Sequence, residues 1–114
     1  MIFKENLTEI LDGIRPFLLP LNSYKYFEFK ISGYFLYYTS HCIIEAMHVH
    51  ASDKKLTEVG SAKFFVKGNG DTVVKARGIL TDKEIRVIRE FIKDNYKEMY
   101  LCWAKMSPNG FYGD

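Results

Sequence analysis

Two histidines separated by a single residue are the side chains of this sequence best suited to chemistry. His48-Val49-His50 lies in a segment, Met47 to Ala51, that we predict to be a β-strand. Residues i and i+2 of a strand project from the same face, so both imidazoles should point the same way. Paired neutral imidazoles are ligands for zinc and other first-row metals. His48 and His50 are therefore our candidate catalytic residues and our first two candidate metal ligands.

The spacing does not fix a third ligand, which would come from His41, Cys42, Glu45 or a distant residue such as Cys102. A His-x-His pair without a defined third ligand is more often hydrogen bonded in or beside a sheet. That structural role is the interpretation we favour from the sequence. A role as general acid or base, or in contact with a partner, stays open. The sequence thus predicts no cofactor, with a divalent metal as the alternative.

The surroundings of the pair can also be predicted. Val49 should point away from the histidines into the core, because it is the intervening residue of the strand. A neighbouring strand, Tyr34 to Tyr38, should supply aromatic walls. We expect the two imidazoles to lie in a shallow, partly exposed concavity, where a histidine can titrate near neutral pH.

The elements that must position this site begin with a short helix at about residues 6–15, which Pro16 and Pro20 end. Alternating residues from Tyr26 to Ile31 predict a half-buried strand with Phe27, Phe29 and Ile31 on one face. After the strands around Tyr34–Tyr38 and Met47–Ala51 we expect a polar loop over residues 52–60. Runs at 62–67 and 72–76 flank Gly68-Asn69-Gly70-Asp71 and predict a β-hairpin.

Thr81-Asp82-Lys83-Glu84 has the pattern of a capping box and predicts the start of a helical region. An apolar stripe then keeps helical phase to about Ala104: Ile85, Ile88, Ile92, Tyr96, Met99 and Trp103. The phase suits one bent helix or two helices, and we favour a split near Asp94-Asn95. The stripe should pack on a sheet face that carries Phe27 and Phe29, or Phe65 and Val73.

These elements predict an α+β domain: a short N-terminal helix, an antiparallel sheet of four or five strands, and a C-terminal helix or helix pair packed on one face. The 114 residues fit a single domain, 1–114, with residues 108–114 expected to be a loose tail. The three prolines and eight glycines exclude a linker-like or collagenous chain.

The composition bears on location and partners. Sixteen Lys and Arg against fourteen Asp and Glu leave a net charge of +2, which by itself does not support a nucleic-acid partner, although such a partner stays open. No apolar run approaches the roughly 20 residues needed to span a bilayer, and the N-terminus lacks the pattern of a secretory signal. We expect a cytoplasmic protein without membrane contact, in which Cys42 and Cys102 are reduced.

Beyond these patterns, the chain from Gly33 to Trp103 resembles the uncharacterised bacterial "domain of unknown function 4160" family. The His-x-His-Ala element is the most distinctive part of the likeness. The matching segments are Tyr34–Thr39, His48–Ala51, Ala62–Ala76, Gly78–Leu80 and Ile85–Trp103. Where the family has an Asp-His-Asn-Pro-Pro lead-in to the histidines, this chain has Cys42 to Met47.

The resemblance implies no established activity, but it implies a second small protein as partner, in the manner of toxin–antitoxin pairs. Our first hypothesis is therefore a protein-interaction module, the effector component of a toxin–antitoxin-like pair. The alternative is a small enzyme, such as a nuclease or other hydrolase, that uses His48 and His50 with or without a metal.

Overall fold

The computed structural model describes residues 22–53 and 60–113. The helix predicted at about residues 6–15 lies outside these residues, as does most of the loop predicted at 52–60.

The described chain forms an antiparallel five-stranded sheet followed by one long helix, which confirms the predicted α+β class. Every strand pairs with the next strand in sequence, so the sheet order is β1-β2-β3-β4-β5. The elements are β1 (Ser23–Lys25), β2 (Phe35–Thr39), a short 3₁₀ helix (Cys42–Ile44), β3 (His48–Ser52), β4 (Ala62–Val66), β5 (Thr72–Ala76) and α1 (Asp82–Ala104).

The hairpin between β4 and β5 is confirmed, and Gly70 shows why its turn needs glycine. The φ angle of Gly70 is +90°, a region that L side chains rarely adopt. A Cβ atom at this position would also lie 2.5 Å from the Cδ1 atom of Tyr96 in α1. The Asn69 side chain accepts a hydrogen bond from the Asp71 N–H at 2.9 Å and closes the turn.

The predicted capping box is present at the start of α1, where the Thr81 hydroxyl and the Glu84 carboxylate each accept a hydrogen bond from the other residue's backbone N–H. The predicted split near Asp94-Asn95 is wrong, because α1 runs without interruption to Ala104. Neither residue breaks a helix as Pro would, and the Asn95 side chain donates to the Phe91 carbonyl oxygen one turn earlier, at 2.8 Å.

The sheet has two distinct faces. The helix face lies under α1, and its buried residues include Leu36, Tyr38, Val49, Phe64 and Val66. Five residues of the predicted helical stripe pack into the same core: Ile85, Ile88, Ile92, Met99 and Trp103.

The opposite face, which we call the histidine face, carries Tyr37, His48, His50 and Phe65. The prediction that Phe65 and Val73 face the helix is therefore wrong. Phe65 pairs with both His48 and Val73, and directly paired residues share a face. Phe64 and Val74 pack toward the helix instead.

The predicted strand over residues 26–31 is also wrong, because β1 ends at Lys25. Tyr26 is buried, and its hydroxyl donates to the His48 carbonyl oxygen at 2.8 Å. Burial raises the pKa of this hydroxyl well above its ordinary value.

Phe29, predicted to face the core, is 54% exposed and stacks on Phe27. Among residues 27–31, β-type pairing is limited to Ile31, which forms an isolated bridge with Tyr34.

The C-terminal segment, residues 107–112, contacts both the sheet and α1. The Tyr112 N–H donates to the Val66 carbonyl oxygen at 2.9 Å, which extends the contacts of the sheet. Phe111 stacks on Tyr100 of α1, with ring centroids 4.2 Å apart. Aromatic side chains and backbone hydrogen bonds thus fix this segment at one end of the sheet.

Candidate functional site

The two histidines lie side by side on β3, as predicted. Their ring centroids are 5.2 Å apart and the rings are nearly perpendicular, at 85°. Val49 points to the helix face and is fully buried in the core, which confirms its predicted position. The strand alternation therefore brings both imidazoles to one place on the histidine face.

The prediction that the pair is partly exposed is wrong, because His48 is 0% and His50 2% exposed. Aromatic rings cover both imidazoles. Tyr37 stacks on His50 with centroids 5.6 Å apart, and Phe65 lies against His48 at 5.2 Å. The predicted aromatic wall from β2 is thus present, but it contributes to closing the site rather than bordering a concavity.

Hydrogen bonds orient each imidazole through its Nδ1 atom. His48 Nδ1 lies 2.9 Å from the Ala46 carbonyl oxygen. A carbonyl oxygen only accepts, so Nδ1 carries the proton and the lone pair of the neutral ring is on Nε2. His50 Nδ1 lies 3.0 Å from the Ser61 hydroxyl oxygen. Metal-binding histidines are typically oriented in this way: the ring nitrogen that does not bind the ion donates its N–H to a neighbouring acceptor.

Cys42 is brought to the same place by the connection between β2 and β3. It begins the 3₁₀ helix that follows β2, and its thiol is reduced and buried. The Thr39 N–H donates to Cys42 Sγ at 3.2 Å, and Thr39 Oγ1 lies 3.2 Å from the same sulfur. These two contacts to Thr39 hold the sulfur in a defined position.

The ligand atoms of Cys42, His48 and His50 all lie within 4.8 Å of one another. Ligand atoms on a tetrahedral zinc ion are roughly 3.3–3.6 Å apart, so binding requires these atoms to approach by about an ångström. One thiolate and two imidazoles are a ligand set suited to zinc and similar ions. Of the four candidate third ligands named from the sequence, the structure places Cys42 in this group.

Glu45, a second of those candidates, lies beside the group and not within it. Its carboxylate is 3.6 Å from His48 Nδ1 and accepts a hydrogen bond from Lys63 Nζ at 3.0 Å. Partial burial alone would raise the pKa of Glu45. The hydrogen bond and charge of Lys63, with smaller contributions from both histidines, lower that pKa overall. Glu45 is thus an anion that can support the orientation of His48 from outside the group.

The remaining two candidates lie elsewhere. His41 is exposed, and its backbone N–H donates to Thr39 Oγ1 at 3.3 Å. Cys102 is on α1, where its carbonyl oxygen accepts a hydrogen bond from Tyr38. Sequence analysis missed Thr39 and Ser61, which orient Cys42 and His50, because neither residue has a spacing signal relative to the group that it supports.

None of the helices in the part of the chain that the structure describes is long and apolar enough to cross a membrane.

Comparison with known proteins gives one family. Residues 33–104 match the model of a family described as "Domain of unknown function (DUF4160)". The matched region contains Cys42, His48 and His50, together with the β4–β5 hairpin and α1. No curated protein and no solved structure matches the chain. Because the match covers more than half of the 114 residues, the chain belongs to the DUF4160 family.

Proposed function

We propose that this protein binds a divalent transition-metal ion of the zinc class through Cys42 Sγ and the imidazoles of His48 and His50. The observation on which the proposal depends is the convergence of one thiol and two imidazoles, within 4.8 Å of one another, at a buried place on the sheet. Soft thiolate and imidazole ligands favour zinc-class ions over magnesium or calcium.

The surroundings of the three side chains support this proposal. Each side chain has a hydrogen-bond partner that orients it: Thr39 for Cys42, the Ala46 carbonyl for His48 and Ser61 for His50. Outer partners of this kind fix the ligand rotamers before an ion arrives, which reduces the cost of ordering them on binding.

The burial of the site supports a structural role for the ion over a catalytic role. A catalytic zinc ion keeps one position open for water or substrate. The alternative function predicted from the sequence, a nuclease or other hydrolase, requires a substrate to reach His48 and His50, which are 0% and 2% exposed. A bound ion would instead connect β3 to the β2–β3 connection and stabilise the folded state by mass action.

Cobalt substitution tests the proposal. Metal-free protein titrated with Co²⁺ should develop visible d–d bands and a thiolate-to-cobalt charge-transfer band, at one ion per chain. Cys42→Ser should abolish the charge-transfer band, and His48→Ala should weaken binding by at least about 10-fold. Cys102→Ser and His41→Ala are the matched controls, since they remove the second cysteine and the third histidine of the sequence.

Circular dichroism of each variant separates a lost ligand from a lost fold. The proposal is wrong if the wild-type protein binds no cobalt. It is equally wrong if Cys102→Ser removes the charge-transfer band and Cys42→Ser keeps it.

A second candidate function is the protein-interaction module predicted from the sequence and from the family resemblance. The observation that supports it is an aromatic cluster of Phe27, Phe29 and Phe91 at the surface, in which Phe29 is 54% exposed and the other two rings are half-buried. Contiguous exposed apolar side chains are typical of partner surfaces. On this proposal the cluster contacts the second small protein of a toxin–antitoxin-like pair in the cytoplasm.

A pull-down from native cells, read by mass spectrometry and also assayed for RNA and metal, tests this second function. Phe29→Ser should remove the protein partner. Ile44→Ser is the matched control, because Ile44 is an apolar side chain exposed elsewhere, at 79%. Equal recovery of the partner by both variants would exclude the aromatic cluster as its binding surface.

A further inference from the structure

We infer that the C-terminal segment, residues 107–112, positions the metal ligands, with Ser107 and Asn109 as positioning residues for Cys42. The inference deepens the proposed metal-binding function and, where it concerns metal affinity, rests on it.

The connection between β2 and β3 has little regular structure of its own. Pairing between these strands ends at Tyr37 and His50, and the 3₁₀ helix Cys42–Ile44 is the one regular element that follows before β3. A single 3₁₀ turn is weakly stable, so the place of Cys42 depends on contacts beyond this turn, of which Thr39 supplies those at the sulfur.

The C-terminal segment provides such contacts directly after Cys42. The Ile43 carbonyl oxygen accepts two hydrogen bonds, from Ser107 Oγ at 2.6 Å and from Asn109 Nδ2 at 3.0 Å. Ser107 Oγ in turn accepts the Asn109 N–H at 3.1 Å. Two donors on one carbonyl fix the orientation of the peptide group between Ile43 and Ile44, one residue after the cysteine that carries the thiol.

The same segment also fixes the connection directly before His48. The Met47 N–H donates to the Gly110 carbonyl oxygen at 2.9 Å. Two residues further on, the Tyr112 ring stacks on Phe65 at 4.5 Å, and Phe65 lies against His48. Both ends of residues 43–47 are therefore held by one segment, which sets the separation between Cys42 and the histidines.

The test is the double variant Ser107→Ala/Asn109→Ala. Because loss of an outer partner typically lowers metal affinity, we expect Co²⁺ to bind about 10–100-fold more weakly, with an altered charge-transfer band. Asn95→Ala is the matched control, since it removes another asparagine side-chain bond to a backbone carbonyl, at 2.8 Å from the Phe91 oxygen. Circular dichroism of all three proteins should show the same helix content.

A second measurement does not depend on any metal. In a Cys102→Ser background Cys42 is the single cysteine, so its alkylation rate reports how well the connection is held. We expect metal-free Ser107→Ala/Asn109→Ala to alkylate at least about 10-fold faster than its parent, because a buried thiol becomes accessible as the connection loosens.

The outcomes are distinct. If the parent protein binds cobalt and the double variant binds it equally well, the inference is overturned and the proposed function stands. If the parent binds no cobalt, the proposed function fails. In that case faster alkylation still supports positioning of Cys42 by the segment, and an unchanged rate overturns it.

Discussion

Phe64 and Phe65 are adjacent phenylalanines on β4, and they serve opposite faces of the sheet. Phe64 is fully buried on the helix face, among aliphatic and aromatic side chains under α1. Phe65 is 8% exposed on the histidine face, between the rings of His48 and Tyr112. The two faces are therefore buried to a similar degree but by neighbours of different chemistry.

The difference shows what each face requires of its residues. On the helix face, burial of apolar area stabilises the folded state by about 25 cal/mol per Å². Such burial requires side chains of complementary shape, but it requires no specific hydrogen-bond partner. On the histidine face every buried imidazole needs a hydrogen-bond partner at a defined position, because an unsatisfied polar group is costly. We therefore expect a misplaced side chain on the histidine face to disturb the proposed metal site, and one on the helix face to lower the free energy of unfolding alone.

The largest expected effect comes from truncating either phenylalanine. Phe64→Ala and Phe65→Ala should each lower the free energy of unfolding by about 3–5 kcal/mol, with Phe65→Ala nearer the lower value because it is slightly exposed. Urea denaturation measures the free energy of unfolding of both variants. Only Phe65→Ala should also weaken Co²⁺ binding to the folded protein, because it removes the ring between His48 and the C-terminal segment.

Equal loss of cobalt affinity in the two variants would show that the faces are not independent. In that case the comparison between them would fail, and the site would depend on overall stability alone.

Features set by local sequence were predictable. The capping box at Thr81, the hairpin turn at Gly70 and the buried stripe from Ile85 to Trp103 depend on residues within a few positions of one another. Hydroxyl caps, turns with positive φ angles and helical periodicity all depend on interactions between residues close in sequence. Each of these features therefore appeared at the expected place.

Features set by contacts distant in sequence were not predictable. Residues 26–31 alternate like a strand, yet Tyr26 is drawn inward by a hydrogen bond to the His48 carbonyl, 22 positions away. The histidines were placed on the correct strand and face. Their burial, and the choice of Cys42 as the third member of the group, depend on neighbouring strands and on an irregular connection that no spacing encodes.

A smaller effect is expected at the start of α1, which covers the helix face. Thr81→Ala removes the hydroxyl that accepts the Glu84 N–H at 3.2 Å, and should lower the free energy of unfolding by about 1 kcal/mol. Cobalt affinity should stay unchanged, because the cap supports the helix and does not contact the histidine face. Urea denaturation and Co²⁺ titration of one preparation measure both quantities, and a loss of affinity would contradict the prediction.

The order of strands in the sheet has a consequence for how the protein is made. Neighbours in sequence are neighbours in the sheet, so most pairing is local, and local topologies fold quickly. The hydrogen bonds from Ser107 and Asn109 to Ile43 instead span 64 and 66 positions. Since a chain leaves the ribosome N-terminus first, β3 and both histidines emerge long before these two residues. The connection that holds Cys42 is thus completed only after Ser107 and Asn109 have left the ribosome.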